Sequence, residues 1–172
     1  MNILIGNLFS LFANIVEIRF NLKYNEKQKV LTGTLIKLPI VAIGYLFLGG
    51  YAGIINCAIS EIRVGVTLYK DKHNKKFYGL FAIFILLYLL PLTTQEGLRT
   101  WFLVVGTLFN FIPKWFSKDV KYIRIGNLIG DSISIIYSLC IFDIIDVTLT
   151  LVSIFGTVAA LVKWGSKVCK DN

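Results

Sequence analysis

The chain has 172 residues, of which 56% are hydrophobic and only 16% are charged, and its mean hydropathy is +0.71. Soluble domains carry about 25% charged residues, so this composition excludes an ordinary soluble fold. The net charge of +8 would suit a nucleic-acid partner only if the basic residues formed one face of a soluble domain. Here the basic residues lie between apolar runs. We therefore expect a single transmembrane domain over residues 1–172, with the lipid bilayer as its partner and no nucleic acid.

Apolar runs of about 15 to 20 residues recur along the whole chain, close to the length with which an α-helix crosses a hydrocarbon core about 30 Å thick. Charged or glycine-rich breaks separate seven predicted transmembrane helices, so the predicted fold class is all-α. They cover Asn2–Phe20, Val30–Gly49, Tyr51–Tyr69, Phe77–Leu92, Arg99–Phe116, Ile123–Ile141 and Ile144–Trp164. The breaks Gly49-Gly50 and Phe142-Asp143 are short enough to predict tight helical hairpins.

Basic residues mark one side of the membrane. They occupy the connectors after the first, third and fifth helices and the C-terminal tail, at Arg19, Lys23, Lys27, Lys29, Lys70, Lys72, Lys75, Lys76, Lys114, Lys118, Lys121, Arg124, Lys163, Lys167 and Lys170. On the other side the only base is Arg99, alongside Glu96, Asp143 and Asp146. Because Lys and Arg favour cytoplasmic connectors, we expect the N-terminus outside and the C-terminus inside.

The chain carries a predicted internal repeat. A shift of 93 residues superposes residues 33–70 on residues 126–163, with matches such as Gly33 with Gly126 and Ser60 with Ser153. Upstream, the segment 6–9 resembles 106–109 at a larger shift, which predicts a shorter first connector in the second copy. We expect two parallel three-helix repeats, about 2–70 and 99–164, joined by a linker helix over 77–92. Transporters built from such repeats bind solute at the repeat interface.

Two segments carry a family resemblance. Leu48-Gly49-Gly50-Tyr51 followed by Ser60-Glu61-Ile62-Arg63 resembles the YgjV-type bacterial inner-membrane proteins, most clearly from about residue 29 to residue 70. The resemblance implies a multi-pass protein of the inner membrane, distantly similar to three-plus-one-plus-three permeases such as the SWEET/PQ-loop proteins and the nicotinamide riboside carriers. Ser60 stands where that family tends to have Asn, and the nearest amide is Asn56, about one turn away.

Ionisable residues inside the predicted helices are costly and therefore functional candidates. Lys37 lies near the middle of the second helix, and in the repeat frame its counterpart is next to Asp131. The two could meet as a structural ion pair or form a solute or proton site, or Lys37 could extend to the surface. Glu61 and Arg63 point to different faces of the third helix. Glu61 could pair with Lys37 or stay protonated, and Arg63 could snorkel or face the interior.

Four amides lie within the predicted helices, at Asn14, Asn56, Asn110 and Asn127. They predict interhelical hydrogen bonds or contacts with a polar solute. Cys57, Cys140 and Cys169 are scattered, and His73 is the only histidine, so we expect no metal, cofactor or disulfide.

The leading functional hypothesis is a permease or facilitator for a small polar solute, bound between the two repeats. The alternative is a structural or regulatory membrane protein in which the charges only fix helix pairing. An enzyme is disfavoured because the chain has no HExxH motif, no Ser/His/Asp set and no glycine-rich phosphate loop. The sequence leaves open whether the protein forms a homo-oligomer.

Overall fold

The computed structural model describes residues 2–24, 26–73, 77–117 and 119–168 of the chain. Four of the basic residues assigned above to connectors or to the tail lie outside these ranges, namely Lys75, Lys76, Lys118 and Lys170, and so does Cys169. The side chains of Lys23, Lys163 and Lys167 are also outside the description.

The described residues form seven α-helices, as the apolar runs predict. Their bounds are α1 Asn2–Lys23, α2 Lys27–Leu48, α3 Tyr51–Lys72, α4 Tyr78–Leu87, α5 Arg99–Phe116, α6 Val120–Cys140 and α7 Ile144–Val168. Pro39 lies inside α2 and Pro113 inside α5. The all-helical fold class is therefore confirmed.

The fourth helix is shorter than predicted. The expected single helix over 77–92 is wrong, because α4 ends at Leu87 and a separate 3-10 turn covers Leu90–Thr93. Pro91 lies in that turn, and a proline has no N–H to continue the α-helical ladder. At 1.5 Å per residue, the ten residues of α4 extend about 15 Å, half the thickness of a hydrocarbon core.

The two predicted hairpins share one geometry. Gly49 ends α2 with φ 73°, and Phe142 follows α6 with φ 60°. In each hairpin the N–H of the next residue donates over 2.9 Å to a carbonyl five positions upstream, that of Tyr45 or Ser138. This bond and a left-handed residue are features of the Schellman ending of a helix.

Six helices form a closed ring. The neighbours within each triplet are α1–α2 and α2–α3, then α5–α6 and α6–α7, while α3–α5 and α7–α1 join the triplets. Helix α4 packs against α3 outside this ring. Close approach needs glycine, since a Cβ on Gly44 would lie 3.2 Å from the Gly6 carbonyl oxygen and one on Gly130 would lie 2.5 Å from the Gly106 carbonyl oxygen.

The first connector has the same length in both triplets. Helix α1 ends at Lys23 and α5 at Phe116, and α2 begins at Lys27 and α6 at Val120. Both intervals are 93 residues, so each connector has three residues, and the expectation of a shorter one in the second copy is wrong. The match of 6–9 with 106–109 rests on small and apolar residues that recur throughout the chain.

The odd-numbered connectors lie together at one end of the bundle. Lys27, at the start of α2, donates over 2.8 Å to the carbonyl of Ser117 after α5 and pairs over 2.8 Å with Asp71 at the end of α3. At the other end, Glu96 before α5 accepts a hydrogen bond over 2.7 Å from the N–H of Ala52 in the first hairpin. The helices therefore alternate in direction through the bundle.

The bundle is apolar outside, and its interior contains polar as well as apolar side chains. Large hydrophobic side chains such as Leu4, Phe12 and Phe155 are exposed, while Asn14, Arg63 and other polar groups are buried. Length and composition alone pick out two membrane-crossing candidates among the described residues, Asn2–Phe20 and Lys27–Leu48, with shorter apolar helices at Tyr78–Thr93 and Ile144–Ala159. The other helices carry polar stripes that turn toward the centre, an arrangement suited to a lipid solvent.

Candidate functional site

A cavity of about 130 Å³ lies at the centre of the ring. Side chains from α1, α2, α3, α5, α6 and α7 line it, and α4 contributes none. That volume holds several water molecules and is well below the roughly 300–1,000 Å³ of pockets for drug-sized ligands. It limits any guest to a small molecule.

Helical stripes bring the polar lining together. On two helices the lining residues recur three or four positions apart, at Asn56, Ser60 and Arg63 on α3 and at Thr107, Asn110 and Lys114 on α5. Residues at this spacing share one helix face. The amide nitrogen of Asn56 donates over 3.0 Å to the hydroxyl of Thr107, which links the two stripes.

Lys37 reaches this cavity and forms an ion pair there. Its Nζ lies 2.5 Å from Oε2 of Glu17 and 3.3 Å from Oδ1 of Asn14. The alternative that Lys37 extends to the membrane surface is therefore wrong. Sequence reasoning missed Glu17, although its spacing of three from Asn14 places both on one face of α1.

Asp131 lines the same cavity but has another partner. Its Oδ1 accepts a hydrogen bond over 3.1 Å from Nδ2 of Asn110, and among the described residues Lys37 makes its ion pair with Glu17. Lys37 and Asp131, which were predicted to share a site, both line the cavity, but they do not form an ion pair with each other.

Arg63 faces the interior rather than snorkelling. It is 3% exposed and lines the cavity. Its guanidinium carbon lies 5.2 Å from the centre of the Phe111 ring and 6.0 Å from that of Tyr88. Nε and Nη1 are buried and have no hydrogen-bond partner in the described structure.

Lys114 and Asp146 are also cavity residues, and the assignment of Lys114 to a connector is wrong. Lys114 lies inside α5 with 5% exposure, and Asp146 lies in the first turn of α7. Asp146 accepts hydrogen bonds from Asn14 over 2.8 Å and from Ser138 over 2.7 Å. The spacing of Asn110 and Lys114 was the signal that could have placed Lys114 on the interior face.

Three predicted site residues do not line the cavity. Asn14 contacts the lining residues Lys37 and Asp146, whereas the other two lie elsewhere. Glu61 is half-buried, does not line the cavity, and makes no hydrogen bond or ion pair in the described part of the chain. It follows Ser60 directly and so points about 100° away from the polar stripe of α3. Asn127 is buried on α6, away from the cavity lining, and its Oδ1 has no partner among the described residues.

The charges around the cavity are balanced. Three acidic and three basic side chains line it, namely Glu17, Asp131 and Asp146 with Lys37, Arg63 and Lys114. They come from both triplets, so the cavity is a shared feature of the two halves.

Comparison with known proteins supports the inner-membrane assignment. No curated protein and no solved structure matches the chain. The model of the family Imp-YgjV, described as a bacterial inner membrane protein, matches residues 4–168. This match confirms the resemblance seen around the first hairpin, and the chain belongs to this family of bacterial inner membrane proteins, as a multi-pass helical member.

Proposed function

We propose that this protein is a permease or facilitator that carries a small polar solute through the central cavity. The observation that carries the proposal is a polar cavity with six charged lining groups at the centre of an apolar bundle. Keeping such groups inside a membrane protein is expensive, and they commonly mark a solute or ion pathway. The proposal assigns no catalytic step to them.

The proposed architecture is two parallel three-helix repeats, with α4 as the linker. The 93-residue interval between equivalent helix ends supports it, as do the two hairpins with left-handed residues at Gly49 and Phe142. The same 93-residue interval relates the packing partners of equivalent glycines, since Gly33 abuts Phe20 and Gly126 abuts Pro113. Parallel repeats with a site at their interface are one of the established transporter designs.

The proposed orientation places the N-terminus outside and the C-terminus inside. The end of the bundle that joins the odd-numbered connectors carries Lys27, Lys70 and Lys121, whereas Glu96 and Asp143 lie at the opposite end. Lysine-rich connectors favour the cytoplasmic side. Impermeant labelling of a single cysteine in either hairpin of intact cells tests this assignment.

The function is tested by solute flux in proteoliposomes. Purified protein is reconstituted, and stopped-flow light scattering follows swelling in short amino acids, small carboxylates and short polyols, whose sizes suit a cavity of about 130 Å³. We expect at least one solute to enter faster than in empty liposomes, and Lys37→Ala to abolish that flux while insertion stays intact.

Lys29→Ala is the matched control, because Lys29 is exposed on the same helix and pairs with Glu26 at the surface. Flux that Lys37→Ala leaves unchanged would refute the site. No flux for any solute, with a correctly inserted protein, would favour the alternative of a structural or regulatory bundle held by its internal charges.

A further inference from the structure

The cavity holds a guanidinium that lacks an anionic partner. Arg63 is 3% exposed, and its Nε and Nη1 donate no hydrogen bond to the described residues. The rings of Phe111 and Tyr88 lie beside it, but they offer no negatively charged oxygen. A buried cation normally has a paired anion or several hydrogen bonds, so Arg63 is incomplete in the described structure.

A second cation without a direct partner in the described structure lines the same cavity. Lys114 is 5% exposed, lies on the helix packed beside that of Arg63, and makes no ion pair or hydrogen bond within the described ranges. Like charges that share a low-dielectric space repel one another. An anion between them would reverse that repulsion.

No cavity carboxylate forms a hydrogen bond or ion pair with Arg63 or Lys114 in the described structure, although Glu17 and Asp131 attract Lys114 through space. Glu17 is engaged by Lys37, and Asp146 accepts hydrogen bonds from Asn14 and Ser138. Because no cavity side chain bonds directly to either cation, an anionic group on a guest would supply the missing contacts.

The same cavity also presents acceptors without donors. Asp131 accepts one hydrogen bond, at Oδ1 from Asn110, which leaves Oδ2 available to a cation. The Oδ1 atoms of Asn56 and Asn110 are buried and have no donor in the described structure. A guest with an anionic end and a cationic end satisfies both sets of groups and preserves the charge balance of the lining.

We infer that the cavity binds a small zwitterion, an amino acid with a short side chain, whose carboxylate contacts Arg63 and Lys114 and whose ammonium contacts Asp131. The cavity of about 130 Å³ suits a guest of this size. Naming this molecule as the transported solute rests on the proposed function, whereas its binding can be measured without transport.

Binding is measured on the purified full chain in detergent by isothermal titration and by the shift in melting temperature. The probes are glycine, L-alanine, propionate, propylammonium and inorganic phosphate. We expect glycine or L-alanine to bind, and propionate and propylammonium to bind at least about tenfold more weakly, because each leaves one set of charged groups unpaired.

The two ends of the site are separated by variants. Arg63→Gln should weaken L-alanine binding at least about tenfold. Arg63→Lys keeps the charge and should retain part of the binding, and it takes the place of the first variant if Arg63→Gln folds poorly. Asp131→Asn should remove the preference for L-alanine over propionate. The exposed Lys121 supplies the control Lys121→Gln, for which no change is expected.

The inference is overturned if folded protein binds neither amino acid, if propionate or phosphate binds as tightly as L-alanine, or if Arg63→Gln binds L-alanine normally. Binding in detergent without L-alanine flux in proteoliposomes supports the site and refutes transport. Flux of an uncharged polyol without amino-acid binding refutes the zwitterion site and leaves the transport proposal standing.

Discussion

The ion pair between Lys37 and Glu17 should behave as a coupled unit. Its two side chains are 19% and 18% exposed, and the charged atoms lie 2.5 Å apart. Removal of one partner leaves the other charge buried and uncompensated, which typically costs about 3–5 kcal/mol, whereas an apolar replacement of both is often neutral. Because the pair borders a cavity, we expect the lower limit of about 3 kcal/mol for Lys37→Met or Glu17→Gln.

The assay is a double-mutant cycle on the unfolding free energy in mixed micelles, with SDS as the denaturant. The double variant should lose no more than about 1 kcal/mol, which gives a coupling energy of about 5 kcal/mol. Lys29→Met is the control, because its pair with Glu26 is 48% and 68% exposed and should contribute below about 1 kcal/mol. The reasoning fails if Lys37→Met costs no more than the control, or if the double variant loses the sum of both single effects.

Three further perturbations give definite outcomes in the same unfolding assay. Gly49 and Phe142 share a left-handed backbone, so Gly49→Ala should cost about 1 kcal/mol and Phe142→Gly should stabilise by a similar amount. Gly130→Ala places a Cβ 2.5 Å from a backbone oxygen of α5 and should cost about 1–3 kcal/mol. Burial, and then the carboxylate of Asp146, raise the pKa of Asp143 from 3.8 to about 6. Between the unfolded-state and folded-state pKa values, the folded chain therefore binds more protons than the unfolded chain. The unfolding free energy should fall by up to roughly 3 kcal/mol from pH 4 to pH 7, and Asp143→Asn should remove this loss.

Each of these outcomes has a contradicting result. Gly65 is a matched control for Gly130, since a Cβ there meets nothing within 4 Å, and equal effects of alanine at both sites would refute the packing argument. Destabilisation by Phe142→Gly would refute backbone strain in the second hairpin. An unchanged pH dependence in Asp143→Asn would show that this carboxyl does not titrate with a raised pKa.

The helices were predictable because their signals are local. Apolar runs and the breaks at Gly49-Gly50 and Phe142-Asp143 set most bounds, and helix formation depends mainly on neighbouring residues. The fourth helix was overextended because its apolar composition continues through Pro91, although the proline ends α-helical hydrogen bonding before it.

The partners within the site were less predictable, because they depend on how each helix is rotated about its axis. Lys37 and Asp131 were related through the repeat, as residues at matching depth in the two halves, whereas the contact of Lys37 with Glu17 crosses from α2 to α1. Glu61 was chosen for its charge, although the sequence already places it and Arg63 on different faces of the third helix. Lys114 was assigned to a connector because it lies only two residues before the end of α5.

The proposed permease function requires that the cavity opens to water on both sides of the membrane. Cys57 lines it and is 4% exposed, so Cys140→Ser with Cys169→Ser leaves a natural single-cysteine probe. A membrane-impermeant methanethiosulfonate is applied to right-side-out and to inside-out vesicles, with Val64→Cys on a cysteine-free background as the control. Val64 is 1% exposed on the same helix and does not line the cavity. We predict that Cys57 is labelled from both sides and the Val64→Cys variant from neither, and failure to label Cys57 from either side would contradict the account.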